Sequence, residues 1–94
     1  MTGNFQFYSE LIEWTPWDEA DVLKMQSEER AELAKTICCQ GLLIDLSMDQ
    51  HAIVRKGVAS NPSTPLMTLK RLAEEDICSS VSDIAKDTLN SIRF

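Results

Sequence analysis

Two proline-containing dipeptides, Asn61-Pro62 and Thr64-Pro65, constrain the fold of this chain more than any other feature. Asn61-Pro62 predicts the end of a helix, because proline disfavours the helical conformation of the residue before it and asparagine tolerates the left-handed backbone common at helix ends. Thr64-Pro65 predicts the start of the next helix, with the threonine hydroxyl as its cap and the proline at its first position. Two helices joined by about four residues must pack against each other.

The rest of the chain also has the apolar period of helices. No segment alternates apolar and polar residues with a period of two, so the predicted fold class is all-α. The chain is predicted to be a single domain, 1–94, with an N-terminal arm at 1–14 and a repeat core at 42–94. The predicted helices span 16–25, 27–41, 42–48, 51–60, 65–75 and 77–92.

The same period predicts which side chains are buried. The predicted core includes Trp17, Ala20, Leu23, Ala31, Leu33, Ala34, Ile37, Cys38, Ile53, Val54, Val58, Ala59, Leu66, Leu69, Leu72, Ala73, Ile77, Val81, Ile84, Ala85, Thr88, Leu89 and Ile92. Val22 is expected to be half-exposed, and Arg55 and Lys56 are expected on the solvent side of their helix. Ser27 is expected to cap the helix that follows it, with acidic residues in the first turn.

Charge is distributed unevenly along the 94 residues, whose net charge is −6. Residues 1–33 carry eight acidic and two basic side chains, and the remainder carries seven of each. An acidic first third opposes binding to nucleic acid and favours a basic partner. The chain has no apolar run of membrane-spanning length and no start typical of a signal peptide, so we expect a cytoplasmic protein without membrane contact.

Residues able to support catalysis or bind metal are few. Cys38, Cys39 and Cys78 lack the spacing of a metal-binding set, and they are expected to be reduced, with Cys78 and one of the adjacent pair in the core. His51 near Asp49 and Cys78 near Asp76 are candidate catalytic pairs, but solvated polar residues are also normal at helix ends. The signatures of nucleotide-binding, zinc-protease and hydrolase sites are missing. The chain is therefore predicted not to be an enzyme and to need no cofactor.

A degenerate repeat appears when the sequence is shifted by 26 residues. The shift aligns Leu43 with Leu69, Leu46 with Leu72, Asp49 with Glu75, Val58 with Ile84 and Ala59 with Ala85. Repeats of 20–50 residues are typical of stacked helical units.

The central residues resemble the leucine-rich repeat variant motif, a relative of HEAT-like helical repeats. The resemblance runs from Leu46 to Glu75 and is carried by Val54-Arg55, Val58-Ala59, Asn61-Pro62, Thr64-Pro65, Leu69 and Leu72-Ala73. It implies a short right-handed stack of helical repeats, used mostly as a binding surface without catalysis. The second copy departs from the motif after Ala85 and resembles a terminal cap. Some members of the family carry an iron–sulfur cluster on a separate cysteine group, whose spacing this chain does not match.

Two surfaces are candidates for binding a protein partner. One is the acidic aromatic first third, and the other is the groove beside the central helices with its basic residues. The candidate partner-binding residues are Phe7, Tyr8, Trp14, Trp17, Asp18, Glu19, Arg55, Lys56, Lys70 and Arg71. The predicted function is that of a non-enzymatic protein-binding module, and the alternative is an acidic, phage-type inhibitor that mimics nucleic acid. Association with further copies of the chain is left open.

Overall fold

The computed structural model describes residues 21–22 and 24–92, and in this part of the chain it contains five α-helices and no strands. The helices are α1 (Ser27–Thr36), α2 (Gln40–Leu46), α3 (Ala52–Ser60), α4 (Leu66–Glu75) and α5 (Ser79–Ile92). The all-α prediction is confirmed. The predicted arm 1–14 and most of the predicted helix 16–25 lie outside the described residues.

Helices α1, α3 and α5 form one layer, in which α3 packs between α1 and α5. Helix α4 packs against α5, and α2 makes smaller contacts with α1 and α3. The core fills the space between these helices with fully buried side chains, among them Leu33, Ile37, Leu42, Leu43, Leu46, Val54, Val58, Leu69, Leu72 and Val81. Each such leucine or valine stabilises the fold by roughly 1.5–3 kcal/mol relative to an exposed position.

Gly57 allows α1 and α3 to approach closely. A Cβ atom at this position would lie 2.5 Å from the carbonyl oxygen of Ala31 and 2.9 Å from the Cβ of Ala34. Alanine is the smallest side chain that α1 could present there, so the contact uses three small residues to bring two backbones together.

Asn61 ends α3, as predicted, with the extended backbone expected of a residue before proline, but the expected left-handed backbone is not used. Its backbone is extended, with φ −92° and ψ 116°, and no described residue has a positive φ. The buried side-chain amide donates to the carbonyl oxygens of Ala34 and Ile37, each at 2.8 Å, and its Oδ1 accepts the N–H of Ser63 at 2.8 Å. Asn61 therefore satisfies carbonyl groups at the end of α1 that have no partner within that helix.

The predicted cap of α4 was wrong. Helix α4 begins at Leu66, and Pro65 is the residue before it, whose carbonyl accepts the N–H of Leu69 at 3.0 Å. The buried Thr64 hydroxyl instead donates to the carbonyl oxygen of Val58 at 2.8 Å. The hydroxyl thus binds the end of α3 because that end, like the end of α1, has carbonyl groups to satisfy.

The predicted helix 27–41 is in fact two helices. Helix α1 ends at Thr36, and α2 begins at Gln40, so that Gly41 lies in the first turn of α2. The intervening turn exposes Cys38 and buries Cys39, whereas Cys38 was the predicted core residue. The start also differs by one residue, because Gln26 is the cap and its N–H is accepted by the Glu29 carboxylate at 3.2 Å.

Several predicted burial positions were wrong. Val22 is fully buried, whereas Ile53, Leu66 and Ile77 are 40%, 56% and 97% exposed. Helix α3 is turned so that Val54 and its neighbours on that face meet the core, which leaves Ile53 about 100° away around the helix. Ile77 precedes α5 instead of lying in it. Across residues 21–22 and 24–92, none of the helices combines the length and hydropathy that crossing a membrane requires.

Candidate binding groove

A largely buried ion pair connects the start of α1 to the loop before α3. The Arg30 guanidinium donates from Nε to Asp49 Oδ2 at 2.8 Å and from Nη2 to Oδ1 at 3.3 Å. Its Nη1 donates to the carbonyl oxygen of Met25 at 2.6 Å. Two parallel N–H···O bonds fix both distance and direction, so this pair sets the position of one helix start against the next.

The same arrangement occurs again one helix further along the layer. Arg55 on α3 donates from Nε to Asp76 Oδ2 at 2.8 Å and from Nη2 to Oδ1 at 3.3 Å, and its Nη1 donates to the carbonyl oxygen of Asp49 at 2.8 Å. The side chains of Arg55 and Asp76 are only 13% and 5% exposed. The prediction that Arg55 points to solvent was wrong, because this side chain reaches the loop before α5.

An open groove separates the exposed sides of α4 and α5. Helix α4 contributes Leu66, Lys70 and Glu74, which are four residues apart and therefore share one face. Helix α5 contributes Lys86, Leu89 and Asn90, which also lie on one face of their helix. The groove has a volume of about 670 Å³. This size is within the range of sites that hold a small ligand or a few side chains of a partner.

The groove combines apolar surface with two lysines that form no ion pair with any other described residue. The ion pairs within the described residues are the two arginine–aspartate pairs above and the exposed pair of Lys35 and Glu32. Lys70 and Lys86 take part in none of these. With Glu74 on the same wall, the formal charge of the groove is 2 − 1 = +1. Ammonium groups that pair with none of the residues 21–22 and 24–92 can bind the carboxylates of a partner.

A second cavity, of about 460 Å³, adjoins the groove and shares Leu66 with it. It is lined by the turn between α1 and α2, the corner between α3 and α4, and Ile92 at the end of α5. The exposed Cys38 lies at this cavity. Because Leu66 is exposed and belongs to both cavities, it is the central apolar residue of this surface.

The four basic candidates do not form one cluster. Lys70 lines the α4–α5 groove, whereas Arg71 donates to the Ser47 hydroxyl at the end of α2. Arg55 is paired with Asp76, and Lys56 lies near Cys78 and does not line the groove. The remaining six candidates, Phe7, Tyr8, Trp14, Trp17, Asp18 and Glu19, lie outside the described residues.

Sequence reasoning missed Lys86 as a groove residue. The helical period of residues 77–92 puts Lys86 on the polar side of the last helix, and it predicts that Leu89 belongs to the core. No pattern in the sequence indicates that Lys86 lies across a groove from Lys70, because the two residues are sixteen positions apart and meet only through the packing of α4 on α5.

The two candidate catalytic pairs are local turns. The backbone N–H of His51 donates to Asp49 Oδ1 at 2.9 Å, and the backbone N–H of Cys78 donates to Asp76 Oδ1 at 2.9 Å. Both carboxylates are also held by an arginine, so they orient backbone and guanidinium groups. The backbone N–H groups of Val81 and then Ser80 lower the pKa of the Cys78 thiol. Within the described residues, no three histidine, cysteine or acidic side chains are grouped as metal ligands.

Comparisons with known proteins add no relative to this picture. No protein-family model, no curated protein and no solved structure matches the chain.

Proposed function

We propose that this chain is a non-enzymatic protein-binding module built on a helical repeat, and that it binds its partner through the α4–α5 groove. The observation that carries the proposal is the exposed Leu66 beside two lysines that have no ionic partner in the described part of the chain. An apolar centre with charged residues at its margin is the usual composition of a protein-binding surface. The acidic aromatic first third remains a second predicted binding surface.

The repeated ion pairs support the helical-repeat part of the proposal. Arg30 and Arg55 are 25 residues apart, Asp49 and Asp76 are 27 apart, and each arginine makes the same three bonds. Ser82 lies 27 residues after Arg55, and its hydroxyl donates to the carbonyl oxygen of Ala73 instead of to a further acidic residue. The arginine–aspartate pair is therefore not repeated a third time in the described part of the chain. The resemblance to the leucine-rich repeat variant motif gives the same expectation.

The apolar and charged residues of the groove suit a protein contact of modest affinity. Leu66 is a large apolar side chain that is more than half exposed, and burying apolar surface stabilises a complex by roughly 25 cal/mol per Å². Lysines at the margin mainly raise the rate of encounter with an acidic partner and select against basic ones. We therefore expect the partner to carry apolar side chains flanked by carboxylates.

The proposal is tested by placing a photo-crosslinking amino acid at Leu66 in the full-length chain and identifying crosslinked proteins in a cell extract. The matched control places the same amino acid at Gln50, which is also exposed but lies in the loop before α3. We expect one protein to be crosslinked from Leu66 and not from Gln50, with reduced yield in the Lys70→Glu/Lys86→Glu variant. Equal crosslinking from both positions, or none from Leu66, would contradict the proposal.

A salt titration of the same crosslink separates the groove from the nucleic-acid-mimic alternative. A contact centred on Leu66 keeps most of its yield as sodium chloride rises, whereas a contact made by surface carboxylates alone loses it, because salt screens exposed charges over about 8–10 Å. Loss of nearly all crosslinking at moderate salt favours the mimic.

A further inference from the structure

The α4–α5 groove runs between two antiparallel helices. Residues 76–78 join the end of α4 to the start of α5. Leu66 at the start of α4 and Ile92 at the end of α5 line the same cavity, so the two helices run in opposite directions. The axes of packed helices lie about 8–10 Å apart, and a third helix, about 10–12 Å in diameter with its side chains, can lie along the groove between two such helices.

Apolar and charged residues occupy different positions along the groove. Leu66 and Leu89 form an apolar end, next to the second cavity that Leu66 also lines. Lys70 follows Leu66 by four residues, about 6 Å along α4. Lys86 precedes Leu89 by three residues, about 4.5 Å along α5. Because the two helices are antiparallel, both steps have the same direction, so the lysines lie on opposite walls about one helical turn beyond the leucines.

We propose that the groove binds an α-helix of a partner protein that carries an apolar side chain and, three and four residues away from it, two carboxylates. The inference rests on the proposed function, since it names the kind of segment that occupies the same groove. On a helix, the side chains three and four positions from a given residue lie one turn along and on either side of it. An apolar side chain seated on the two leucines thus directs one carboxylate to each lysine.

Charge favours an acidic helix over a basic one. Lys70 and Lys86 pair with none of the residues 21–22 and 24–92, and both are exposed. Glu74 is the acid among the residues that line the groove, and it lies one further turn along α4, beyond Lys70. A carboxylate placed one turn from the leucines therefore meets the ammonium groups before it meets Glu74.

A helix suits these walls better than an extended peptide. An extended segment leaves its own N–H and C=O groups without partners unless the edge of a sheet pairs with them. The described residues contain no strand, and the backbone groups of α4 and α5 are bonded within those helices. A partner helix bonds its own backbone internally, so it can bury its apolar side chain in the groove without losing those bonds.

The test measures the binding of synthetic, fluorescein-labelled peptides to the full-length chain by fluorescence polarisation. Each peptide is an alanine-based helix of about 16 residues. Two peptides cover both directions of the bound helix, one with glutamates three and four positions after a central leucine and one with glutamates three and four positions before it. We expect at least one of them to bind with a Kd of about 100 μM or lower. Failure of both overturns the inference.

Two control peptides test the spacing and the helix. The first has the same composition, but its glutamates lie one and two positions from the leucine, about 100° or more around the helix, and circular dichroism checks that it remains helical. The second has a proline at a central position that faces away from the groove, which breaks the helix. Each should bind at least about tenfold more weakly than the parent peptide. Equal binding of either control overturns the inference.

Charge reversal tests which residues meet the carboxylates. The groove variant is Lys70→Glu/Lys86→Glu, which should weaken binding at least about tenfold. A peptide with lysines in place of its two glutamates should bind this variant and not the wild type, a result that damage to the fold does not produce. The matched control, Lys24→Glu/Lys35→Glu, changes the net charge equally at exposed positions outside the groove and should bind like the wild type. No binding of the lysine peptide, or a control as defective as the groove variant, overturns the inference.

The chain itself is the other candidate occupant, and crosslinking distinguishes it. With the photo-crosslinking amino acid at Leu66 in the purified full-length chain, we expect no crosslink to residues 1–20 and no crosslinked dimer. Either product overturns the inference of a partner helix. A protein crosslinked from Leu66 in a cell extract, when no peptide binds, overturns the helix and leaves the proposed function. If neither a peptide nor a protein binds, both proposals are overturned.

Discussion

The bonds of Asn61 give the sharpest stability prediction. Replacing Asn61 with alanine removes three hydrogen bonds of 2.8 Å and leaves the carbonyl oxygens of Ala34 and Ile37 without this donor in a buried site. At about 1 kcal/mol for each bond, the free energy of unfolding should fall by about 3 kcal/mol. A domain of this size has only about 5–14 kcal/mol in total.

The assay is urea unfolding followed by circular dichroism, with thermal unfolding as a second measure. We expect a lower urea midpoint with an unchanged slope, and a decrease of about 12–24 °C in the melting temperature. The control with an exposed side chain is Gln50→Ala, which should change the unfolding free energy by less than about 0.5 kcal/mol.

A comparison with glycine distinguishes the two explanations for this residue. If Asn61 were needed for a left-handed backbone, Asn61→Gly would be tolerated, because glycine adopts that conformation freely. Because the backbone is extended and the side chain makes the bonds, Asn61→Gly should be at least as destabilising as Asn61→Ala. A glycine variant within about 0.5 kcal/mol of the wild type would refute the reasoning.

Three further predictions concern the ion pairs, the close helix contact and the thiol. Asp76→Ala leaves the largely buried Arg55 without its carboxylate, so the free energy of unfolding should fall by about 3 kcal/mol. The control Glu32→Ala breaks an exposed ion pair and should lower it by less than about 1 kcal/mol. Equal effects of the two variants in urea unfolding would contradict this prediction. Gly57→Ala should lower the free energy of unfolding by about 2 kcal/mol despite the higher helix propensity of alanine, because the added Cβ meets backbone atoms of α1. The control Gly41→Ala, at an exposed position, should not lower it. The helix N–H groups lower the pKa of the Cys78 thiol, so alkylation of Cys78 should have a lower pH midpoint in the folded chain than in urea. Mass spectrometry measures the alkylated fraction at each pH. A higher midpoint in the folded chain would contradict stabilisation of the thiolate by these N–H groups.

Prediction from the sequence was most successful where the signal is local. The helical period identified the all-α class and placed α3 and α4 within one residue of their observed bounds. It was wrong about the helix 27–41, because the carbonyl groups of Ala34 and Ile37 at the end of α1 are satisfied by Asn61, a residue more than twenty positions away. The burial of Ile53 and Leu66 was also wrong, because a period identifies an apolar face but not which neighbour covers it.

The candidate groove was only partly foreseen. Lys70 was named from the sequence, but Lys86 was not, and Arg55 was assigned to solvent although it pairs with Asp76. A sequence pattern reports on residues within about one helical turn, since these share a helix face whatever the tertiary structure is. Pairs that are 16 or 21 positions apart have no such fixed relation.

The sequence by itself determined that this chain forms short helices interrupted at proline-flanked corners, because helix propensity, capping and proline geometry act between near neighbours. Only the tertiary structure decided what the corner residues bind, which arginines are buried, and which lysines face one groove. Those outcomes depend on the angle and spacing at which separate helices pack, and the shapes of all the buried side chains together fix that packing.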